Sequence, residues 1–266
     1  MGRLLTVVKL LAVFTLIGLG WHLTSASGPE FTENDKAFYA DANLLNFVRP
    51  GLVIDVIGHE VSADGTVRAR VKLTDLRTAG LDREGIQTPG TVATSFILAS
   101  IPSGQSQYTA FTTRVQTSAL TGQSATQAGS DTGGTWQKIA DGEYWYTFGR
   151  KLPANAARDA VYAIGAYGSR NLSEFDLPTN YDDDVYHFRL DGAAVRTGRD
   201  VVTTASCNNC HDPLALHGGS RRSVELCAMC HTPQTTDPDT GNTVDLPVMV
   251  HKIHMGGQLP SVVAGG

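Results

Sequence analysis

Cysteine is scarce in this chain of 266 residues: four are present, and all of them lie between positions 207 and 230. Any cofactor or cross-link that cysteine holds must therefore lie in this short segment. Basic residues are also few, because 21 Lys and Arg stand against 26 Asp and Glu and the net charge is −5. No basic stripe is visible, so a nucleic-acid partner is not expected.

A long apolar run is also missing. The apolar stretch at residues 10–23 has about 14 residues, short of the roughly 20 that span a bilayer. Arg3 and Lys9 lie in front of it or at its start, and the small residues Thr24-Ser25-Ala26 follow it. This order predicts a cleaved signal peptide over residues 1–26, with a membrane anchor as the alternative. The mature protein is therefore expected in the periplasm or at the outer membrane and cell surface, without an N-terminal lipid-anchor cysteine.

The region 27–200 predicts a β domain. The clearest sign is a strict alternation in which Val67, Ala69, Val71 and Leu73 are separated by Arg68, Arg70 and Lys72. Such a period of two is typical of a half-buried strand, and the Asp64-Gly65 turn before it predicts a hairpin with residues 52–57. Further strands are expected at 91–101, 108–117, 144–148, 160–167 and 185–190. Six to eight short strands favour an antiparallel sandwich or barrel.

Two polar stretches inside this region are expected to be loops. Gly122–Gly134 is rich in Ser, Thr, Gln and Gly, which favours a long connection. Asp182-Asp183-Asp184 has the composition of a solvated acidic loop, and a cation site is the alternative.

The alternation stops after Asp191-Gly192, and residues 201–266 contain few apolar residues. Two motifs lie there: Cys207-Asn-Asn-Cys210-His211 and Cys227-Ala-Met-Cys230-His231. C-x-x-C-H is the attachment signature of c-type haem. The two thiols of each motif add to the two vinyl groups of one porphyrin, and the following His reaches its iron. The motifs therefore predict two attached haems in a coil and short-helix domain over 201–266, with His211 and His231 as proximal ligands.

Two alternatives use the same cysteines. The C-x₂-C pairs also fit a zinc ribbon, and four cysteines allow three disulfide pairings. Neither zinc nor a disulfide needs a His directly after each pair. Only eight histidines are present in the chain, so finding one at both positions favours haem.

Candidate distal ligands are His217, His251 and His254. The last two are three residues apart, so on a helix they share one face and would serve different irons. Bis-His ligation is favoured over Met249, Met255 or Met229, and it leaves no open site on the iron. Two haems need two distal ligands and three are offered, so a third haem and a chain that continues beyond residue 266 are expected. The predicted role is electron transfer, not catalysis.

The stretch 201–258 resembles the outer-membrane decahaem cytochromes of the OmcA/MtrC type. The similar residues are the two haem motifs with Asp212-Pro213 and Thr232-Pro233, Leu216-His217-Gly218-Gly219, and Val250-His251-Lys252-Ile253-His254-Met255-Gly256. Residues 144–148 and the strand at 160–170 resemble more weakly the β domain that precedes the first haem cluster.

This resemblance implies an antiparallel β-sandwich or split-barrel, Greek-key domain followed by a multihaem c-type domain. It also implies extracellular electron transfer through bis-His haems, with other multihaem cytochromes, flavins or mineral oxides as redox partners and an outer-membrane complex as an assembly. A multihaem reductase with an open haem site is the rival function, and a β binding module stabilised by zinc or disulfides is another. Which distal His serves which iron is left open by the sequence.

Overall fold

The computed structural model describes residues 31–195 and 198–265. The predicted signal peptide, residues 1–26, lies outside the described residues. Within the described part, one short α-helix is followed by ten strands and then by four more short α-helices. The strands are β1 Val53–Val61, β2 Val67–Thr74, β3 Val92–Ile101, β4 Thr109–Ala110, β5 Thr113–Thr117, β6 Ser124–Ala128, β7 Thr135–Ala140, β8 Glu143–Thr147, β9 Val161–Arg170 and β10 Asn180–Phe188. The helices are α1 Ala42–Val48, α2 Thr204–Cys207, α3 Val224–Cys230, α4 Leu246–Met255 and α5 Pro260–Val263.

Two four-stranded antiparallel sheets form the β region. The first has the order β1-β2-β8-β7, the second has the order β10-β9-β3-β4, and β5 and β6 form a separate hairpin. The alternation predicted for β2 is present, since Val67, Ala69, Val71 and Leu73 are all fully buried between the sheets. The mostly β, antiparallel fold predicted from the sequence is confirmed.

Two local predictions were wrong, one strand was missed and one predicted strand is divided. The stretch 122–134, expected to be a loop, contains β6, which pairs with β5. The strand β7 was not predicted, because its residues Thr135–Ala140 are mostly exposed and lack a clear alternation. The three aspartates at 182–184 lie within β10 and not in a solvated loop. The strand expected at 108–117 is divided into β4 and β5.

Two of the three aspartates of β10 form hydrogen bonds with the first sheet. Asp182 accepts a hydrogen bond from the backbone N–H of Ile54 at 2.7 Å, and Asp184 accepts one from Val56 at 2.8 Å. Both donors lie on β1, the edge strand of the other sheet. These carboxylates therefore replace the missing neighbour strand and close the two sheets along this edge.

The side chain between them points the other way. Successive strand residues face opposite sides of a sheet, and Asp183 accepts hydrogen bonds from the backbone N–H groups of Arg222 and Ser223 at 2.8 and 2.9 Å. Ser223 is the N-cap of α3. One strand thus connects β1 on one face to the helical segment on the other.

Two apolar cores follow from this arrangement. The first lies between the sheets, whereas the second lies on the outer face of the second sheet. In β3, Phe96 and Leu98 belong to the first core, and Ile97 and Ala99 belong to the second. This explains the continuous apolar run of β3, because a strand covered on both faces has no need for alternation.

The helical segment contributes to the second core. Leu214, Val224, Leu226, Met229 and Leu246 are buried there against β3 and β9. The sheet therefore covers these five residues, whereas Leu216, Val250 and Ile253 are among the apolar residues of the segment that stay exposed. Among the described residues, no helix is long and apolar enough to cross a bilayer.

The buried carboxylate of Asp182 predicts a pH effect on stability. Burial raises the pKa of Asp182 to about 6, whereas an unfolded Asp has a pKa of about 4. The folded state therefore binds more protons between these values, and the stability that this group contributes is present below about pH 4 and lost as the pH rises through about 6.

Asp182→Asn keeps an oxygen that accepts the hydrogen bond from Ile54 but cannot ionise. We expect the free energy of unfolding of the variant, relative to the native chain, to rise between pH 4 and pH 7. Chemical unfolding of both proteins at a series of pH values measures this difference. A difference that does not vary with pH would contradict the prediction.

Candidate haem-binding site

Each C-x-x-C-H motif lies at the end of a short capped helix. The helix α2 begins after Thr203, whose hydroxyl accepts a hydrogen bond from the N–H of Ser206, and ends at Cys207. The helix α3 begins after Ser223, whose hydroxyl accepts a hydrogen bond from the N–H of Leu226, and ends at Cys230. Such caps fix where each helix starts. They therefore also fix the place of the cysteines that follow.

The position of α3 is set by a close approach to β9. Gly165 lies under this helix, and a Cβ at that position would be 2.6 Å from Leu226 Cδ1 and 2.9 Å from Met229 Sδ. Gly165 therefore allows the helix to lie directly on the sheet. Met229 is fully buried there, so it is a core residue and does not point away from the sheet as an axial ligand would.

Three of the four thiols lie at the edge of the second core. Cys207, Cys227 and Cys230 are partly buried against it, and Cys210 is exposed. Burial raises the pKa of Cys227 to about 11, with the carboxylate of Asp183 adding to the effect, and burial also raises that of Cys230 to about 11. Both motifs are thus held beside one apolar surface.

The first pair of histidines joins the first motif to α4. The ring centroids of His211 and His254 are 6.3 Å apart, and the planes of the rings are at 85°. The Nδ1–H of His254 donates to the carbonyl of Val250 at 2.8 Å. This bond fixes the tautomer and leaves Nε2 free to bind a metal.

The second pair joins the second motif to a tight turn. The centroids of His217 and His231 are 5.9 Å apart, with 23° between the ring planes. The Nδ1–H of His231 donates to the carbonyl of Val244 at 3.0 Å. Burial lowers the pKa of both side chains, which favours the neutral imidazole that ligates metals.

Both separations fit one iron between two imidazoles. A metal–imidazole nitrogen bond is about 2 Å long and the nitrogen lies about 1.2 Å from the ring centre, so two ligands on opposite sides have centroids about 6 Å apart. Each pair contains one His from a C-x-x-C-H motif and one from elsewhere. The residues present therefore fit two bis-His haems.

The fifth candidate, His251, is in neither pair. It lies on α4 and is exposed, and its Nδ1–H donates to the carbonyl of Pro247 at 2.7 Å. As in His254, this bond fixes the tautomer of the ring and leaves Nε2 free to bind a metal. Of the Met alternatives, Met249 is partly buried in the second core and Met255 is exposed.

In residues 31–195 and 198–265, no group of three or more His, Cys, Asp or Glu side chains is arranged to hold a bare metal ion. The contacts that the sequence did not reveal are those from other elements, namely the Val244 carbonyl, Gly165 and Asp183. Gly165 and Asp183 lie in distant strands and Val244 lies 13 residues after His231, so no short motif could have indicated these contacts.

The chain thus carries two C-x-x-C-H motifs and two pairs of neighbouring histidines beside a β platform. Residues 199–263 match the family described as outer membrane cytochrome MtrC/MtrF-like, domains II/IV. Over 130 residues the chain is 35% identical to the multiheme cytochrome MtrC of Shewanella baltica (strain OS185), an alignment that covers 46% of this chain and 19% of the relative. The chain thus spans about a fifth of the length of that curated relative.

Two solved structures have a similar fold. The outer membrane decaheme cytochrome OmcA superposes with a TM-score of 0.61 at 23% identity, covering 78% of this chain and 33% of OmcA. MtrC from Shewanella baltica OS185 superposes with a TM-score of 0.53 at 24% identity, covering 80% of this chain and 34% of MtrC. The predicted resemblance to OmcA/MtrC-type outer-membrane cytochromes is confirmed, by sequence at the motif segment and by fold over most of the chain.

The contact between α3 and Gly165 predicts that the motif segment depends on the sheet for its stability. Leu226→Ala removes a side chain that is 1% exposed, and we expect it to lower the free energy of unfolding by about 2–5 kcal/mol. Leu120→Ala, at a position 85% exposed on the β5–β6 hairpin, is the matched control and should change it by less than about 0.5 kcal/mol. Denaturant unfolding measures both. Equal changes in the free energy of unfolding for the two variants would contradict the packing of α3 on the sheet.

Proposed function

We propose that this chain is part of an exported multihaem c-type cytochrome that transfers electrons. The observation that carries the proposal is the presence of two His pairs at the spacing of one iron, each with one member directly after a C-x-x-C pair. Bound haem supplies a reversible one-electron change between ferric and ferrous iron. The protein residues would hold the haems and orient the ligands.

The geometry supports a specific assignment of ligands. Cys207 and Cys210 would attach the first haem, with His211 as its proximal ligand and His254 as its distal ligand. Cys227 and Cys230 would attach the second haem, with His231 as proximal and His217 as distal ligand. This assignment is our proposal for the question that the sequence left open, which distal His serves which iron.

Bis-His ligation favours conduction over catalysis. An iron with two imidazoles is six-coordinate and offers no position for a substrate. Both pairs lie at the ligating separation without rearrangement. A terminal reductase would need one of these distal histidines to be displaced, and this remains the rival function.

We further propose that His251 is the distal ligand of a third haem. Its ring is oriented by Pro247 as that of His254 is by Val250, and two residues three apart on one helix face would serve two irons. Since the chain spans about a fifth of its curated relative, the third attachment motif would belong to a part of a longer protein outside this sequence. Residues 27–200 and 201–266 would then be its β domain and the beginning of its haem domain.

The setting proposed is the outer membrane or cell surface, in agreement with the descriptions of the relatives. The redox partners would be other multihaem cytochromes within an outer-membrane complex, and the acceptors would be flavins or mineral oxides. The sequence features that support export are the predicted signal peptide and the haem motifs, since haem attachment to C-x-x-C-H takes place outside the cytoplasm.

The assignment predicts different effects for the three distal candidates. In the chain matured with two haems, His217→Ala and His254→Ala should each convert one haem to a five-coordinate form that binds carbon monoxide. His251→Ala should leave both haems six-coordinate and is the matched control on the same helix as His254. Mass spectrometry confirms attachment, and visible spectra with and without carbon monoxide measure ligation.

Two results would contradict the proposal at different levels. A chain without a mass increase of two haems would remove the cytochrome function itself. Attached haems with a carbon monoxide response to His251→Ala but not to His254→Ala would retain the function and overturn the assignment.

A further inference from the structure

The distal ligand His217 lies in a strained turn between residues 216 and 221. The backbone N–H of Leu216 donates to the carbonyl of Arg221 at 3.0 Å, which closes the turn. His217 has φ 50°, and Gly218 and Gly219 follow with φ 78° and 96°. The left-handed region is unfavourable for a residue with a side chain. Since His217 is held there, the surrounding contacts must stabilise this conformation.

The side chain of Arg221 makes these contacts. Its Nη1 donates to the carbonyl of His217 at 3.2 Å and to the hydroxyl of Ser220 at 3.0 Å. The guanidinium carbon lies 3.9 Å from the ring centroid of Tyr167, a residue of β9 that is buried in the second core. Arg221 therefore ties the backbone of the distal ligand to the rigid sheet through a hydrogen bond and a cation–π contact.

The same guanidinium places a positive charge beside the second His pair. Its Nη1 lies 3.2 Å from the carbonyl oxygen of His217, so the charge is close to the backbone of this residue. The first pair is built differently, since His254 is held within α4 by the Val250 carbonyl. The two pairs therefore differ in how the distal ligand is held.

We propose that Arg221 is a positioning residue for the second haem: it holds His217 opposite His231, and its charge favours the reduced state of that iron. The inference rests on the proposed function, because it assumes haem between these two histidines. A positive charge near the iron favours ferrous over ferric haem, since reduction removes one unit of positive charge from the centre. Arg221 thus makes the two haems unequal in potential.

The ligand planes provide a way to observe each iron separately. The planes of His211 and His254 are nearly perpendicular, whereas those of His217 and His231 are nearly parallel. Perpendicular imidazoles leave two iron d orbitals almost degenerate and parallel ones split them, so the two ferric low-spin centres should give different EPR signals. A redox titration followed by EPR then assigns one potential to each haem.

The test compares three variants in the haem-loaded chain. Arg221→Gln removes the charge and the cation–π contact, and Arg221→Lys keeps the charge but cannot make the same planar contacts. Arg222→Gln is the matched control, because Arg222 stacks on Tyr181 and donates to the carbonyl of Gly219 instead of that of His217. The readouts are the potential of each haem and the fraction of haem that binds carbon monoxide.

We expect Arg221→Gln to lower the reduced-to-oxidised ratio of the second haem about tenfold at a fixed potential, which equals about 59 mV for one electron. Carbon monoxide binding at that haem should rise as His217 is released. Arg221→Lys should keep the potential close to native while carbon monoxide binding still rises. Arg222→Gln should leave the potential of the second haem and its carbon monoxide binding close to native.

The failure of this inference can be distinguished from that of the proposed function. Attached, six-coordinate haems whose potentials and carbon monoxide binding respond equally to Arg221→Gln and Arg222→Gln would overturn the role of Arg221 alone. An equal shift of both EPR signals would overturn it too. A chain without attached haem would instead overturn the proposed function.

Discussion

The structure depends on three neighbouring carboxylates in β10. Asp182 and Asp184 bind the N–H groups of β1, and Asp183 binds those at the start of α3. Side chains alternate along a strand. Three consecutive aspartates can therefore accept hydrogen bonds on both faces of the sheet. Accepting hydrogen bonds from several backbone N–H groups offsets part of the desolvation cost of each acid. The closure of the two sheets and the anchoring of the motif segment therefore come from a single strand.

The second sheet, once held in this way, becomes a platform for the haem motifs. Gly165 leaves room for α3, Tyr167 supports Arg221, and Asp183 fixes the first turn of α3. These residues lie on β9 and β10, which are adjacent strands. The helix α3 with its two cysteines, and the turn that contains His217, are thus supported by rigid strands. A ligand set that must keep its distances in both oxidation states gains from such support.

The sequence predicted the features that depend on local pattern. The motifs Cys207–His211 and Cys227–His231 are contiguous, and the alternation of β2 is visible in seven residues, so neither needs knowledge of the fold. The pairing of His217 with His231 across a turn, and of His254 with His211 across two helices, depends on tertiary packing. The strand β7 was missed because its residues are mostly exposed, and β6 was missed because its residues are mostly polar; neither strand has a clear apolar periodicity. The aspartates of β10 were misread because their composition is typical of a loop, although their burial is decided by partners more than 30 residues away.

The two proposed haem sites differ in the kind of interaction that holds the distal ligand. His254 is oriented by a bond within its own helix, to a carbonyl four residues earlier, so this orientation persists as long as α4 does. His217 is oriented by Arg221, which depends in turn on Tyr167 of β9. A weakening of the contact between the motif segment and the sheet would therefore release His217 before His254. If haem occupies both sites, the integrity of the β domain controls the ligation of the second iron far more than that of the first. The β domain is then part of the electron-transfer apparatus, since it maintains one of the two ligand pairs as well as carrying the segment.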